Sequence, residues 1–321
     1  MELGIETVIE GNIIEKGIIA LDAKLFLEIV RKLPDNDITV ESDASYKTTI
    51  TCEKAKFNII GKPGDDFTYL PKIEKLDSIM VSQFTLKEII RQTIFSIADN
   101  DTNKLMTGEL FEVNDNILKV VALDGHRISV RKIALKNSYD NKKVVVPGKT
   151  LNEVSKILPG DTDKDVVIFF TDKHIVFEFD NTIVVSRLIE GDYFNIDHML
   201  SSDYETKVKI NKKEFYDCID RATLLVKEGD KKPIILNITD ESLELKISST
   251  IGSMNESIDI AKNGKDLMIG FNPKFLIDAL RVIDEEEIDI YLVNPKTPCF
   301  IKDKENKYTY MILPVNFTTV S

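Results

Sequence analysis

Residues 144–151 read Val-Val-Val-Pro-Gly-Lys-Thr-Leu: a β-branched run, a turn, then a lysine heading an amphipathic stretch. The same succession occurs at 18–26, Ile-Ile-Ala-Leu-Asp-Ala-Lys-Leu-Phe, and at 268–276, Met-Ile-Gly-Phe-Asn-Pro-Lys-Phe-Leu. Lys24, Lys149 and Lys274 are spaced by 125 residues in both intervals. Self-similarity at a fixed period marks duplicated structural units.

The segments downstream of the three lysines match as well. Apolar periodicity predicts helices over 25–33, 151–158 and 275–283, and Pro34 and Pro159 stop the first two. Strands come next at 38–40, 166–170 and 288–292. Two more complete each unit, as at 174–179 and 182–188, joined by the turn pair Asp180-Asn181. One unit is strand–helix–three strands, seen three times.

A second kind of unit lies between these. Residues 84–98 place Leu86, Ile89, Ile90, Ile94 and Ile97 on one helical stripe, before strands at 108–113, 118–123 and 129–133. Its counterpart begins near Val208, 124 residues after Phe84, with a helix over 212–227 and strands at 234–239, 243–248 and 256–260. The fold class is α+β: three similar domains, each ideally two such units, with bounds at 1–76, 77–200 and 201–321. The second kind of unit occurs only twice, and its third copy would start about 40 residues ahead of Met1. The first domain is therefore expected to comprise its second half only, with residues 1–10 as the last strand of the half before it.

The 321 residues are 43% hydrophobic and 30% charged, a globular balance that excludes low-complexity disorder and collagen-like chains. No apolar run approaches a bilayer span, and Met1 is followed by Glu2, Glu6 and Glu10, not by a basic leader, so a soluble cytoplasmic protein is expected. Cys52, Cys218 and Cys299 are widely separated and form no C-x-x-C, so no zinc or redox pair is expected. The net charge of −12 speaks against a protein that coats nucleic acid with its whole surface. Its distribution is uneven: the five helical stretches carry +5 and the rest −17. Lys24, Arg31, Lys87, Arg91, Lys149, Lys156, Lys212, Arg221, Lys274 and Arg281 lie on them, and Lys104 lies nearby. A repeated module would gather these cations on one side, suiting sequence-independent contact with phosphates.

Catalytic motifs do not assemble. Gly148-Lys149-Thr150 resembles the tail of a phosphate loop, but Lys143 stands where its first glycine is required. Asp124-Gly125-His126-Arg127 combines an acid, a base and a cation, without a nucleophile or metal set beside it. Asp-Gly there reads as a tight turn. His174 and His198 show no metal-ligand spacing. No metal and no cofactor are expected.

With the repeats and Ala122-Leu123-Asp124-Gly125-His126-Arg127 in view, the chain resembles the bacterial DNA sliding clamps, the β subunits of DNA polymerase III. Supporting runs are 144–153, Ser186-Arg187-Leu188-Ile189-Glu190-Gly191, Gly270-Phe271-Asn272-Pro273 and Met311-Ile312-Leu313-Pro314-Val315. The resemblance covers the whole chain, lacking only the family's first strand, first helix and next two strands. It implies a non-catalytic processivity factor: a head-to-tail homodimer closing a six-domain ring around double-stranded DNA, helices inside and sheets outside. It also implies capture of the replicative polymerase, clamp loader and repair polymerases through short peptides. By position, the peptide pocket would comprise Met106, Leu123, Gly125, His126, Arg127, Ile128, Phe194, His198, Met199, Asn272, Phe275, Met311, Ile312, Leu313 and Pro314. The family often has proline and arginine where Phe194 and His198 stand. Phe57 and Ile59 would meet Leu224 and Leu225 of a second copy, in a dimer expected to be weaker than one with a complete first domain.

Two other readings compete. A protein-binding repeat scaffold without a DNA role is distinguished by whether the basic helix faces share one concave wall, and an enzyme using Asp124 and His126 predicts activity abolished by His126→Ala.

Overall fold

The computed structural model describes residues 2–99, 102–200, 203–226, 232–303, 305 and 307–317. They form two compact units, one of residues 5–73 and one of residues 2–4 with 74 onward.

In the smaller unit, Asp22 opens helix α1 (Ala23–Lys32), its Oδ1 accepting the Leu25 N–H at 2.7 Å. Strands Thr39–Ser42, Lys47–Cys52 and Ala55–Ile60 form an antiparallel sheet after it, with Ala55–Ile60 at one edge. Its buried apolar set is small, Ile29, Ile50 and Cys52, while Leu25, Leu27, Val40 and Ile60 remain exposed.

The larger unit contains two buried cores of the same design. Around the first, α2 (Gln83–Thr93) presents Leu86, Ile89 and Ile90, and α3 (Gly148–Ile157) presents Leu151 and Val154, to strand residues such as Phe111, Val146 and Ile168. Around the second, α4 (Lys212–Thr223) gives Phe215, Cys218 and Ile219, and α5 (Pro273–Val282) gives Leu276 and Leu280, to Leu236, Ile269 and Ile301. Each buries an apolar helix stripe against sheet. Ser82, Asn211 and Asn272 cap α2, α4 and α5.

The 125-residue period holds for α3 and α5, which start at Gly148 and Pro273. It does not hold for α2 and α4. Val208 lies in the strand Thr206–Asn211 ahead of α4, and the caps Ser82 and Asn211 are 129 residues apart. Pairing Phe84 with Val208 therefore equates a helix with a strand.

Helix ends also differ from the apolar stripes. The stretch 84–98 leaves α-helix at Thr93, whose buried hydroxyl bonds back to the Ile89 carbonyl oxygen at 2.7 Å, and a 3₁₀ turn, Ile94–Ser96, comes after it. Helix α4 ends at Thr223, and Lys227 of the expected stretch 212–227 lies outside the described residues. The expected strands 108–113 and 118–123 are one strand, Gly108–Leu123, paired with the longer Arg127–Pro147. Asn114-Asp115-Asn116 looks like a turn but is absorbed as a bulge, with Asp115 at φ 52° and register shifts on either side.

A seven-stranded antiparallel sheet joins the two cores. Strand Tyr308–Ile312 pairs with Arg127–Pro147, Met311 facing Ile128, and on its other side with Cys299–Lys302. A four-stranded sheet ends on Gly252–Asp259. Cys52, Cys218 and Cys299 are buried free thiols. No helix among the described residues is long and apolar enough to cross a membrane.

One core residue sets a pH response. Glu109 is fully buried, and neither of its carboxyl oxygens has a hydrogen-bond partner among the described residues. Burial pushes this carboxyl well above its ordinary 4.5, outweighing the opposite pull of the Thr93 hydroxyl. The unfolded chain ionises it near 4.5, so the neutral form's contribution is full below that pH. It is lost as pH rises towards the folded value, by about 1.4 kcal/mol per pH unit. Urea midpoints at pH 5 and pH 8 should therefore diverge in the parent and draw together in Glu109→Gln.

Candidate functional site

The outer face of the seven-stranded sheet carries a row of direct cross-strand neighbours: Leu123, Ile128, Met311, Phe300 and Tyr291. Alternate residues point the other way, so the same strands send Ile301, Tyr310 and Ile312 into the core beneath α5. On the outer face Leu110, Val121, Val130, Val145, Tyr193 and Ile196 complete a separate apolar cluster. Met106, Phe194 and Leu313 pack on it while only partly buried, and Met199 nearby is 42% exposed. The result is an apolar trough with a half-open rim. Phe194 stands edge-on to Tyr193, ring centroids 5.6 Å apart, and so fixes one wall. Sequence reasoning missed Tyr193, Ile196, Phe300 and Tyr291. Strand alternation marks Phe300 and Tyr291, whereas nothing local marks the two connector residues.

Asp124-Gly125-His126 forms the expected tight turn. Gly125 has φ 84°, and Asp124 Oδ1 accepts the backbone N–H groups of His126 and Arg127 at 2.9 and 3.1 Å. The His126 ring stacks on Phe275 at 5.9 Å, and its carbonyl oxygen accepts the Leu313 N–H at 2.9 Å. Asp124 Oδ2 is taken by Arg127 Nε at 2.9 Å, so the acid serves the turn and the arginine rather than His126.

Arg127 lies on the helix side of the sheet, opposite the trough, as does its cross-strand partner Ile312. Only 6% exposed, Arg127 also donates to Asp278 of α5 at 2.7 Å and to the Phe95 carbonyl oxygen at 2.5 Å. Its guanidinium lies 4.6 Å from the Phe275 ring centroid and 5.5 Å from that of Phe95. It therefore ties the two cores together beneath the trough. Asn272 caps α5 through the Lys274 N–H at 3.0 Å. Gly125 and His198 are exposed, and Pro314 is half-buried beside Leu313. A cleft of about 450 Å³ on the helix side is lined by Arg127, Phe275, Asp278, Asn152 and Lys274.

The eleven cations separate by what they touch. Lys24, Lys149 and Lys274, each the second residue of its helix, are exposed, as are Arg31 and Lys104, and none of the five forms an ion pair among the described residues. Lys156 pairs with Glu153 and Arg221 with Glu256, while Arg281 donates to the Tyr216 hydroxyl at 3.4 Å. Arg91 is held by Glu88 and by Asp284, the latter at 3.1 Å. Lys87 and Lys212 turn inward onto backbone carbonyls, at 2.9 and 2.7 Å. Of the ten helix cations, seven are exposed and Lys87, Arg91 and Lys212 are half-buried; carboxylates, a tyrosine hydroxyl or helix-end carbonyls engage six of the ten.

Family models for the N-terminal, central and C-terminal domains of the DNA polymerase III beta subunit match residues 1–71, 80–195 and 198–316 in that order. The Beta sliding clamp of Staphylococcus aureus is 35% identical, over 98% of this chain and 85% of its own length. The chain belongs to the DNA polymerase III beta subunit family. A crystal structure assigned to a beta subunit from Eubacterium rectale matches with 75% identity and TM-score 0.92, over 99% of this chain and 87% of that one. The DNA polymerase sliding clamp of Bacillus subtilis matches with 34% identity and TM-score 0.89, over 99% and 87%. The fold is the three-domain DNA clamp fold, mixed in helix and sheet.

Two of the sheet edges have exposed apolar residues on or beside them. Phe57, 37% exposed, and Ile59 lie on the edge strand Ala55–Ile60 of the smaller unit. Leu224, 79% exposed, and Leu225 come directly after α4 in the larger unit, where Gly252 of the edge strand Gly252–Asp259 passes Leu225.

Proposed function

We propose that this beta subunit holds DNA by enclosure and holds its partners through the outer trough. The chain is a DNA polymerase processivity factor. Two copies join head to tail, Phe57 and Ile59 of one against Leu224 and Leu225 of the other, in a dimer that surrounds duplex DNA. An exposed sheet edge on each unit, with apolar residues beside it, supports that closure, since unpaired edges are templates for pairing. Lys24, Lys149 and Lys274 supply weak, salt-screened contacts with the duplex, independent of sequence. The replicative polymerase, the clamp loader and repair polymerases each insert a short apolar peptide into the trough, which raises their effective concentration at DNA. No bond is made or broken by this chain.

The observation that carries the reading is the recurrence of a lysine without an ion pair at the second residue of α1, α3 and α5. Topology provides the test. Loaded by its host clamp loader and ATP onto nicked circular plasmid, the protein should co-elute with that DNA. A single linearising cut should then release it. Equal retention on circular and linear DNA would replace enclosure by grip, and retention on neither would favour the scaffold reading.

A further inference from the structure

Lys87 and Lys212 sit on the cationic helices, yet both ammonium groups are committed. Lys87 Nζ donates to the carbonyl oxygen of Leu158 and Lys212 Nζ to that of Ile283. Leu158 and Ile283 are the C-cap residues of α3 and α5, 125 residues apart. They are 1% and 2% exposed. Carbonyls at a helix end have no acceptor role left inside the helix, and buried ones need an outside donor.

The two lysines are not repeat equivalents. Measured from the caps Ser82 and Asn211, Lys87 is the fifth residue of α2 and Lys212 the first of α4. That places them one helical turn apart on the same face. Two different positions thus bring a charge to equivalent carbonyls, so what recurs is the tie itself and not the residue that makes it. The chain after α3 passes Lys87 at Gly160, whose φ of 86° favours glycine.

At the opposite ends of the tied helices stand Lys149 and Lys274. A ten-residue helix is about 15 Å long, so anchoring its C-terminus to the neighbouring helix fixes the direction in which its first turn presents a side chain. We infer that Lys87 and Lys212 are positioning residues: they touch no phosphate, and they aim Lys149 and Lys274 at the duplex. The inference rests on the clamp reading.

The test measures binding of the whole chain to a short labelled duplex by fluorescence anisotropy across a range of NaCl concentrations. Each phosphate contact adds about 0.9 to the slope of log affinity against log salt. The pair Lys149→Ala and Lys274→Ala should flatten that slope by nearly two such steps. The pair Lys87→Met and Lys212→Met should lower affinity several-fold and flatten the slope by no more than the alanine pair does, with no further flattening when the two pairs are combined, and Lys87→Arg with Lys212→Arg should restore both. The single Met variants are run beside the pair, with circular dichroism, so that a fold lost in the pair still leaves two readings. A further flattening when the Met pair is added to the alanine pair would make these lysines phosphate contacts and overturn the inference. Unchanged affinity and slope would reduce them to helix caps and overturn it as well. If the alanine pair leaves the slope untouched, Lys149 and Lys274 do not face DNA, and the inference falls with the reading beneath it.

Discussion

Leu313→Asp is expected to weaken capture of a polymerase-tail peptide by at least about 30-fold, the effect of losing one central anchor. Leu313 packs partly buried on the outer cluster with Met106 and Phe194. A carboxylate there would be desolvated by any apolar peptide entering the trough, without a cation to pair with in that cluster. The Leu313 N–H bond to His126 is made by backbone and survives the substitution, so the protein should remain folded. Calorimetric titration with the peptide measures the loss, and an unchanged urea midpoint separates it from unfolding. Phe194→Ala should weaken the same peptide less, because it removes one wall and adds no charge. Equal binding by parent and Leu313→Asp would remove the trough from consideration as the partner site.

Arg127→Met should cost about 3–5 kcal/mol of stability in the larger unit, the usual penalty for removing one member of a buried ion pair. Arg127 satisfies Asp124, Asp278 and the Phe95 carbonyl oxygen at once, and Asp124 and Asp278 are themselves only 13% and 15% exposed in their side chains. Removing the guanidinium leaves two poorly hydrated carboxylates facing each other across the seam. Arg127→Lys should rescue little, since one ammonium cannot reproduce the fork that reaches Asp124, Asp278 and the Phe95 carbonyl oxygen at once. Adding Asp278→Asn to Arg127→Met should recover part of the loss. Urea denaturation tracked by far-UV circular dichroism measures all three. A loss under about 1 kcal/mol for Arg127→Met would mean that the clasp is not what holds the cores in register.

Much of this architecture was legible because the decisive signals are local. Pro147-Gly148-Lys149 and Asn272-Pro273-Lys274 combine a turn, a helix start and a charge within three residues, and α3 and α5 begin where those triplets place them. Leu123, Ile128, Met311 and Leu313 share the outer cluster. What escaped the sequence depends on distant partners. Arg127 is separated from Asp278 by 151 residues, and nothing near Arg127 shows that its side chain leaves the trough for α5. Lys87 and Lys212 look like any solvated helix cation until Leu158 and Ile283 are brought within reach. Asn114-Asp115-Asn116 has the chemistry of a turn, and only the long pairing with Arg127–Pro147 turns it into a bulge.

The pairing of Tyr308–Ile312 with Arg127–Pro147 has a consequence for biogenesis. A ribosome makes Tyr308–Ile312 after every other strand of that sheet. Throughout synthesis of the intervening chain, residues 127–131 therefore present bare amides and carbonyls to solvent, next to Ile128 and Val130. Neighbouring nascent chains on one message would meet through that margin, and a holdase that shields it until translation ends would raise the yield of correctly assembled protein.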